Sequence, residues 1–286
     1  MALSRQAVTP RPSASILVIR DAPDGGLEVL TVERSRRMRF AGGMLAFPGG
    51  AVDRADAALD MRRRALAPAS RGGPDLSYRL AALRELFEET GLLLAVRRPH
   101  GPPVDERLRL AMSRRFRRRV HAGRMRFARA LARAGLWLPV GRLVPFAHWV
   151  TPDISPIRFD TRFYLTVAPP GQKAETDGVE NLAVRWRSPS AILEEWRSAA
   201  RTLMFPTRLN LMKLDRAGSV AEALTQTRRT PVMSVEPQLL EDGRRRLVIP
   251  EEAGFGVTEA TQEELDPVER SAISAHLDAL ARHPWH

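Results

Sequence analysis

Apolar residues run almost unbroken through Ala14-Ser15-Ile16-Leu17-Val18-Ile19 and return over residues 27–33, with Asp24-Gly25-Gly26 between them. Two such runs around a turn-forming triplet predict a β-hairpin. Two glycine-rich passages follow, Ala41-Gly42-Gly43 and Phe47-Pro48-Gly49-Gly50. Residues 51–74 are mixed and charged and close on Arg71-Gly72-Gly73-Pro74, as expected of an inserted loop with a short helix. Asp75 or Ser77 can cap the helix that comes next, where Leu80, Leu83 and Phe87 share one face and Gly91 suits the end. The apolar run Leu92 to Val96 predicts a buried strand. Two arginine-laden helices are expected within 104–136, broken near His121-Ala122-Gly123. Shorter strands are expected around 143–150, 162–167 and 183–186, and Pro189-Ser190 opens a helix ending near Ser198.

Beyond about residue 216 the pattern changes to a helix over 219–228, a strand pair flanking Glu241-Asp242-Gly243, and a polar C-terminal helix. There is no internal repeat. Alternating strands and helices argue for an α/β domain with helices on both sides of a mixed sheet. Composition narrows the class without changing that picture. At 286 residues, 44% hydrophobic and 27% charged, the chain is ordinary for a globular protein. Zero cysteines exclude disulfides, thiol nucleophiles and cysteine-ligated zinc. The apolar runs are too short to span a bilayer, and no signal-peptide pattern is present. The expectation is a cytoplasmic protein without membrane partners. The net charge of +12 comes almost wholly from arginine, since Lys173 and Lys213 are the only lysines. It reads first as solvated helix surfaces and second as affinity for a polyanion.

The segment that carries chemistry is Arg84-Glu85-Leu86-Phe87-Glu88-Glu89-Thr90-Gly91-Leu92. Spaced i, i+3 and i+4, Glu85, Glu88 and Glu89 fall on one helix face. They also sit in the last turns, where the helix dipole is negative. A hard divalent cation would turn that mutual repulsion into attraction. Arg84 can pair with Glu88 one turn on. A solvated acidic face has the same spacing, but the adjoining arginine, terminal glycine and upstream Pro-Gly-Gly loop favour a site.

This segment matches in full the core of the Nudix box, R-E-U-x-E-E-x-G-U with U aliphatic, and Phe47-Pro48-Gly49-Gly50 resembles the loop that opens it. The resemblance implies a Nudix α/β/α sandwich with a mixed sheet over residues 12–215, with insertions at about 57–76 and 100–140 and a C-terminal appendage over 216–286. It implies Mg2+ or Mn2+ held by Glu85, Glu88 and Glu89, helped by a backbone carbonyl of Gly49 or Gly50. It also implies hydrolysis of a nucleoside diphosphate derivative. Glu180 resembles the position of an additional metal ligand or general base; a plain loop glutamate is the alternative.

Two departures stand out. Asp56 falls where the box expects glutamate, and Arg84 lies 20 positions later than the usual spacing. An insertion of this kind, with Asp53, Asp56 and Phe87, is similar to the branch of the family that includes the peroxisomal acyl-CoA diphosphatase. The ending Pro284-Trp285-His286 is not the peroxisomal tripeptide. From Arg34-Ser35 through Arg39 and Gly43 to Phe47-Pro48-Gly49-Gly50, the chain resembles the signature of coenzyme A-cleaving Nudix enzymes. The resemblance thus implies Arg34, Arg39, Phe47, Gly49 and Gly50 at the substrate, and 3′,5′-ADP and a phosphopantetheine as products. ADP-ribose, dinucleotides and capped RNA are alternative substrates, and a non-catalytic nucleotide sensor is an alternative class.

The cluster Arg114-Arg115-Phe116-Arg117-Arg118-Arg119 reads as a solvated face or, second, as a lid over the substrate. With few aromatics interleaved it is a poor platform for nucleic acid. Trp149 and Phe163 read as core, and Arg158 with Asp160 as a local ion pair. Many members of the family dimerise, so a homodimer fits the resemblance, although nothing in the chain demonstrates one.

Overall fold

The computed structural model describes residues 8–38, 41–66, 75–176, 178–240 and 246–282. Its centre is a mixed sheet. Strand β1 (Arg11–Asp21) forms the expected hairpin with β2 (Leu27–Arg34), joining Asp21 to Leu27 and Ile19 to Val29. The two strands then splay, and the short strands β3 (Leu45–Ala46) and β4 (Gly49–Ala51) pair with β2 and β1 respectively. β1 also runs parallel to β6 (Phe159–Val167), which pairs antiparallel with β5 (Val144–Val150). β7 (Asn181–Arg187) lies antiparallel to β2, with a register shift between Glu33 and Arg34.

Helices cover both faces, which is why β1 is buried without interruption from Ser13 to Ile19. On one side Ala14, Ile16, Val18 and Tyr164 meet the long helix α2 (Asp75–Thr90), after the short α1 (Leu59–Arg62). On the other side Leu17, Ile19, Val29 and Leu165 meet α6 (Pro189–Arg197), α7 (Phe205–Leu214) and α8 (Val220–Arg229). Helix α7 was not foreseen. Its apolar residues alternate with Thr207, Arg208, Asn210 and Lys213 all round the axis, so it lacks the one-sided stripe that marks a surface helix.

Helix α2 is itself enclosed. The inserted helices α3 (Glu106–Met112), α4 (Arg118–His121) and α5 (Phe127–Ala134) bury Phe116, Val120 and Phe127 against it, with Phe127 stacked on Phe87 at 5.3 Å. Between α3 and α4 a π-helical turn spans Ser113–Arg117. Of the five arginines in the 114–119 cluster, four are exposed and Arg117 is buried.

Two expectations are corrected. Residues 92–96 are buried but form no strand apart from a bridge at Val96. In place of a neighbouring strand, the Gln172 side chain accepts from Leu93 N and donates to Leu93 O, Val104 N donates to the Ala95 carbonyl, and Val96 exchanges bonds with Trp137. Arg158 and Asp160 do not pair with each other. Arg158 bonds Glu236 and the Thr151 carbonyl, whereas Asp160 accepts from Tyr78 and meets His148. Trp149 and Phe163 are core residues, as expected.

The C-terminal segment shares the second core. β8 (Ser234–Val235) extends the main sheet beside β5. A small antiparallel sheet follows, made of β9 (Gln238–Leu240), β10 (Arg246–Val248) and β11 (Glu259–Ala260); its Glu241-Asp242-Gly243 turn lies outside the described residues. The last helix, α9 (Pro267–Arg282), contributes Ile273. Among the described residues, no helix is long and apolar enough to cross a membrane.

Candidate active site

The site is built where β4 passes the end of α2. Three features of β1 hold the glycine loop in place: Ile16 N and Ser15 Oγ both donate to the Pro48 carbonyl, and Ser13 Oγ donates to that of Gly50. The loop lies so close to β1 that glycine is required at position 49, and at position 50 a side chain would displace Glu85. A Cβ on Gly49 would stand 2.5 Å from the Ala14 carbonyl oxygen, and one on Gly50 2.5 Å from Glu85 Oε1. Each glycine therefore trades a side chain for an approach between backbone and neighbour.

Glu85 and Glu89 reach this loop from one helix face, and Glu88 lies beside them against Arg84 and His121. Glu89 Oε2 accepts from Gly49 N at 3.1 Å. Arg84 lies behind them in a network: its Nη1 donates to Glu85 at 2.8 Å and to Glu88 at 3.3 Å, and its Nη2 to the Ala51 carbonyl at 2.9 Å. Its outer edge meets Asp56 through two bonds, Nε at 2.9 Å and Nη2 at 3.0 Å. Asp56 is buried and also accepts from Asp53 N. The residue standing where the box expects glutamate is thus the partner that orients Arg84.

Burial makes the cluster costly to charge. Burial pushes Glu89 up to about 8, with a further push from Glu85 and opposition from Arg34, Gly49 N and the Asn181 side chain. Burial likewise raises Glu85 to about 7 against the pull of Arg84. Glu88 is raised for the same reason. Burial disfavours the charge of Arg84, yet its bond to Asp56 and the charges of Glu85, Asp56 and Glu88 hold it above the ordinary arginine range. Three carboxylates therefore share too little positive charge to be comfortable as anions.

Other expected residues lie unevenly. Arg34 is half-buried beside Glu89, at the register shift in β2, and its Nε is buried with no hydrogen-bond partner among the described residues. Such a bulge re-aims side chains next to a site. Glu180 is half-buried at the mouth of β7, and its carbonyl accepts from Ser35 N. The residue whose side chain bonds Glu89 is its neighbour Asn181, fully buried and not foreseen. An asparagine heading a strand, where that residue type is depleted, was the available signal. Phe47 was expected at the substrate, but its ring is buried in the second core against Phe163, because the loop's alternation turns it to the opposite sheet face. Arg39 lies outside the described residues. His121, from the insertion, brings Nδ1 to 3.7 Å from Glu88 Oε2. An apolar cavity of about 150 Å³ lined by Trp149, Phe163, Phe205 and Ile273 lies on the sheet face away from the carboxylates.

The donor set suits a hard cation: three carboxylates raised by burial, backbone carbonyls, and a glycine cradle that admits Glu85. In the structure Glu85 and Glu88 lean on Arg84, and among the described residues no three acidic or histidine groups already surround one point. A cation bound there would compete with the Arg84 ion pairs.

An α/β/α sandwich with this carboxylate helix against a Pro-Gly-Gly loop defines a Nudix hydrolase, an enzyme acting on diphosphate bonds. A solved Nudix hydrolase from Alicyclobacillus acidocaldarius is similar over 76% of this chain and 96% of its own, at 30% identity and a TM-score of 0.63. The chain belongs to the family of the NUDT19 Nudix domain, whose signature matches residues 68–214. Two relatives named acyl-coenzyme A diphosphatase NUDT19 are similar. The Gallus gallus protein is 28% identical over 257 residues, covering 71% of this chain and 68% of the relative. The Homo sapiens protein is 27% identical over 250 residues, covering 74% and 67%.

Proposed function

We propose that this enzyme cleaves the diphosphate linkage of coenzyme A or an acyl-CoA, releasing 3′,5′-ADP and a phosphopantetheine or its acyl derivative. The observation that carries the reading is the approach of Glu85 and Glu89 to the Gly49–Gly50 loop, with Glu88 held beside them by Arg84 and an Arg34 Nε that has no hydrogen-bond partner among the described residues. Likeness to the acyl-coenzyme A diphosphatases and the spacing from Arg34 to Gly50 support the coenzyme A part. We assign the catalytic unit to residues 12–215, with 216–286 as a supporting appendage that shares its second core.

Glu85, Glu88 and Glu89, with the Gly49 or Gly50 carbonyl and Glu180, would hold Mg2+ or Mn2+. Such a cation neutralises the diphosphate and makes a water easier to deprotonate. The remaining tasks fall to side chains. Arg84, fixed by Asp56, holds Glu85 and Glu88 in place. Glu85 or Glu180 accepts the proton of the attacking water as it adds to phosphorus. Arg34 donates to phosphate oxygens and holds charge on the departing phosphate. The exposed arginines of the insertion we read as a solvated face.

The test is incubation with Mg2+ or Mn2+ and coenzyme A, acetyl-CoA, ADP-ribose, NADH, diadenosine polyphosphates and capped RNA, with products identified by mass spectrometry. Release of 3′,5′-ADP that depends on metal and is lost in Glu89→Gln is the expected result. Turnover of another panel member alone overturns the coenzyme A assignment, and turnover by Glu89→Gln overturns the carboxylate assignment. Arg39→Ala should raise KM for coenzyme A more than for ADP-ribose; equal effects would remove Arg39 from coenzyme A recognition.

A further inference from the structure

The C-terminal end of α2 is only partly satisfied locally: Thr90 Oγ1 donates to the Leu86 carbonyl, Gly91 N to that of Phe87, and Arg84 pairs with Glu85 and Glu88. The last carbonyls of a helix lack intrahelical donors and carry the negative end of its dipole. Here three glutamates add to that potential, and the last turn contains no basic residue. Further donors and positive charge at the last turn come from the inserted helices.

Arg117, on the π-helical turn, is buried against this end. Its Nε donates to the Glu88 carbonyl at 2.9 Å. Its Nη2 donates to the Glu175 carbonyl at 2.8 Å and its Nη1 to that of Thr176 at 3.4 Å. Arg109, fully buried, grips Glu106 through two bonds and reaches the Glu175 carboxylate. Both guanidinium groups press on the glycine that closes the box. A Cβ on Gly91 would stand 3.0 Å from Arg109 Nη1 and 3.2 Å from Arg117 Nη1.

The loop that Arg117 binds leads straight back to the site. Glu175 N donates to the Thr90 carbonyl, and Thr176 Oγ1 donates to the Asn181 carbonyl. The Asn181 side chain bonds Glu89. One guanidinium therefore ties together the backbone beneath Glu88 and the loop that steadies Glu89.

We propose that Arg117 is a positioning residue of the active site, clamping the end of the carboxylate helix to Glu175 and Thr176, and through Thr176 to Asn181, so that Glu88 and Glu89 stay aligned. The inference rests on the assignment of Glu85, Glu88 and Glu89 as the working carboxylates. The inserted segment is then part of the catalytic architecture, although its exposed arginines face solvent.

The test measures Mn2+ binding by electron paramagnetic resonance, alongside kcat and KM for whichever panel compound is turned over, in wild type, Arg117→Ala and Glu89→Gln. Outer partners that orient ligands are worth about 10–100-fold in metal affinity. Arg117→Ala should weaken Mn2+ binding by about 10-fold or more. It should lower kcat while leaving KM nearly unchanged, and added guanidinium ion should restore part of both losses. Mn2+ affinity and kcat like wild type in a folded Arg117→Ala, or losses that guanidinium leaves untouched, would overturn the clamp. If that variant is unfolded, Arg117→Gln, which keeps one donor, decides by the same Mn2+ and kcat criteria. Wild-type behaviour of the Arg117 variants beside an inactive Glu89→Gln sinks the clamp alone. Wild-type Mn2+ binding and turnover by Glu89→Gln sink the carboxylate assignment with it.

Discussion

Glu89→Gln should make the metal-free protein more stable while removing its activity. Burial raises Glu89 from an ordinary value of 4.5 to about 8. A carboxyl raised on folding binds its proton more tightly in the folded state, so its contribution to stability is intact below pH 4.5. That contribution is lost as pH climbs from 4.5 towards 8. At pH 7 the loss follows from about 2.5 pH units above the unfolded value at 1.36 kcal/mol each, on the order of 3 kcal/mol. At pH 5 it is below about 1 kcal/mol. Glutamine carries no proton to lose and can still accept from Gly49 N through its amide oxygen. Urea unfolding in the presence of a chelator, at pH 5 and pH 7, reads the effect. The variant should gain on wild type by on the order of 2 kcal/mol more at pH 7 than at pH 5. Added Mn2+ should then stabilise wild type and leave the variant unmoved, because binding to the folded state alone raises stability. An equal gain at both pH values would refute the claim that folding raises the Glu89 carboxyl and keeps its proton on at pH 7.

Three further outcomes are expected. Asp56→Ala removes two charge-assisted bonds from buried Arg84 and should cost about 3 kcal/mol in denaturant unfolding, with kcat falling in parallel; a cost below about 1 kcal/mol would show that Glu85, Glu88 and Ala51 suffice. Gly50→Ala puts a methyl group 2.5 Å from Glu85 Oε1, so the carboxylate must move and kcat should drop by about 10²-fold with the fold retained; unchanged turnover would exclude Glu85 from the working set. Lys213, far from the site, is lowered to about 8 by burial and by Arg216, so folding releases its proton between pH 8 and 10.5 and wild-type stability rises through that window. Lys213→Met should stabilise at pH 7 by about 1–2 kcal/mol after allowance for partial exposure, with the gain vanishing by pH 10.5 in thermal unfolding.

The chemistry of this protein was legible in the chain because it depends on short-range spacing. Glu85, Glu88 and Glu89 lie within five residues, and helical geometry alone sets them on one face. The hairpin, the glycine loop and most strands were legible for the same reason, each being a local pattern. What required the tertiary structure was every assignment that depends on which side of a layer a residue faces, or on what lies across a gap. Residues 92–96 have strand composition, yet their backbone is met by scattered partners: the Gln172 side chain at Leu93, Val104 at Ala95 and Trp137 at Val96. Phe47 belongs to a substrate signature, but the alternation of the loop turns its ring into the opposite core. Asn181 reaches Glu89 only because β7 pairs with β2. Arg117 was indistinguishable among 43 arginines, since burial, which separates a clamp from a solvated charge, is a property of packing. Residue type and spacing determined what chemistry was available; the pairing of distant elements decided which side chains hold it in place.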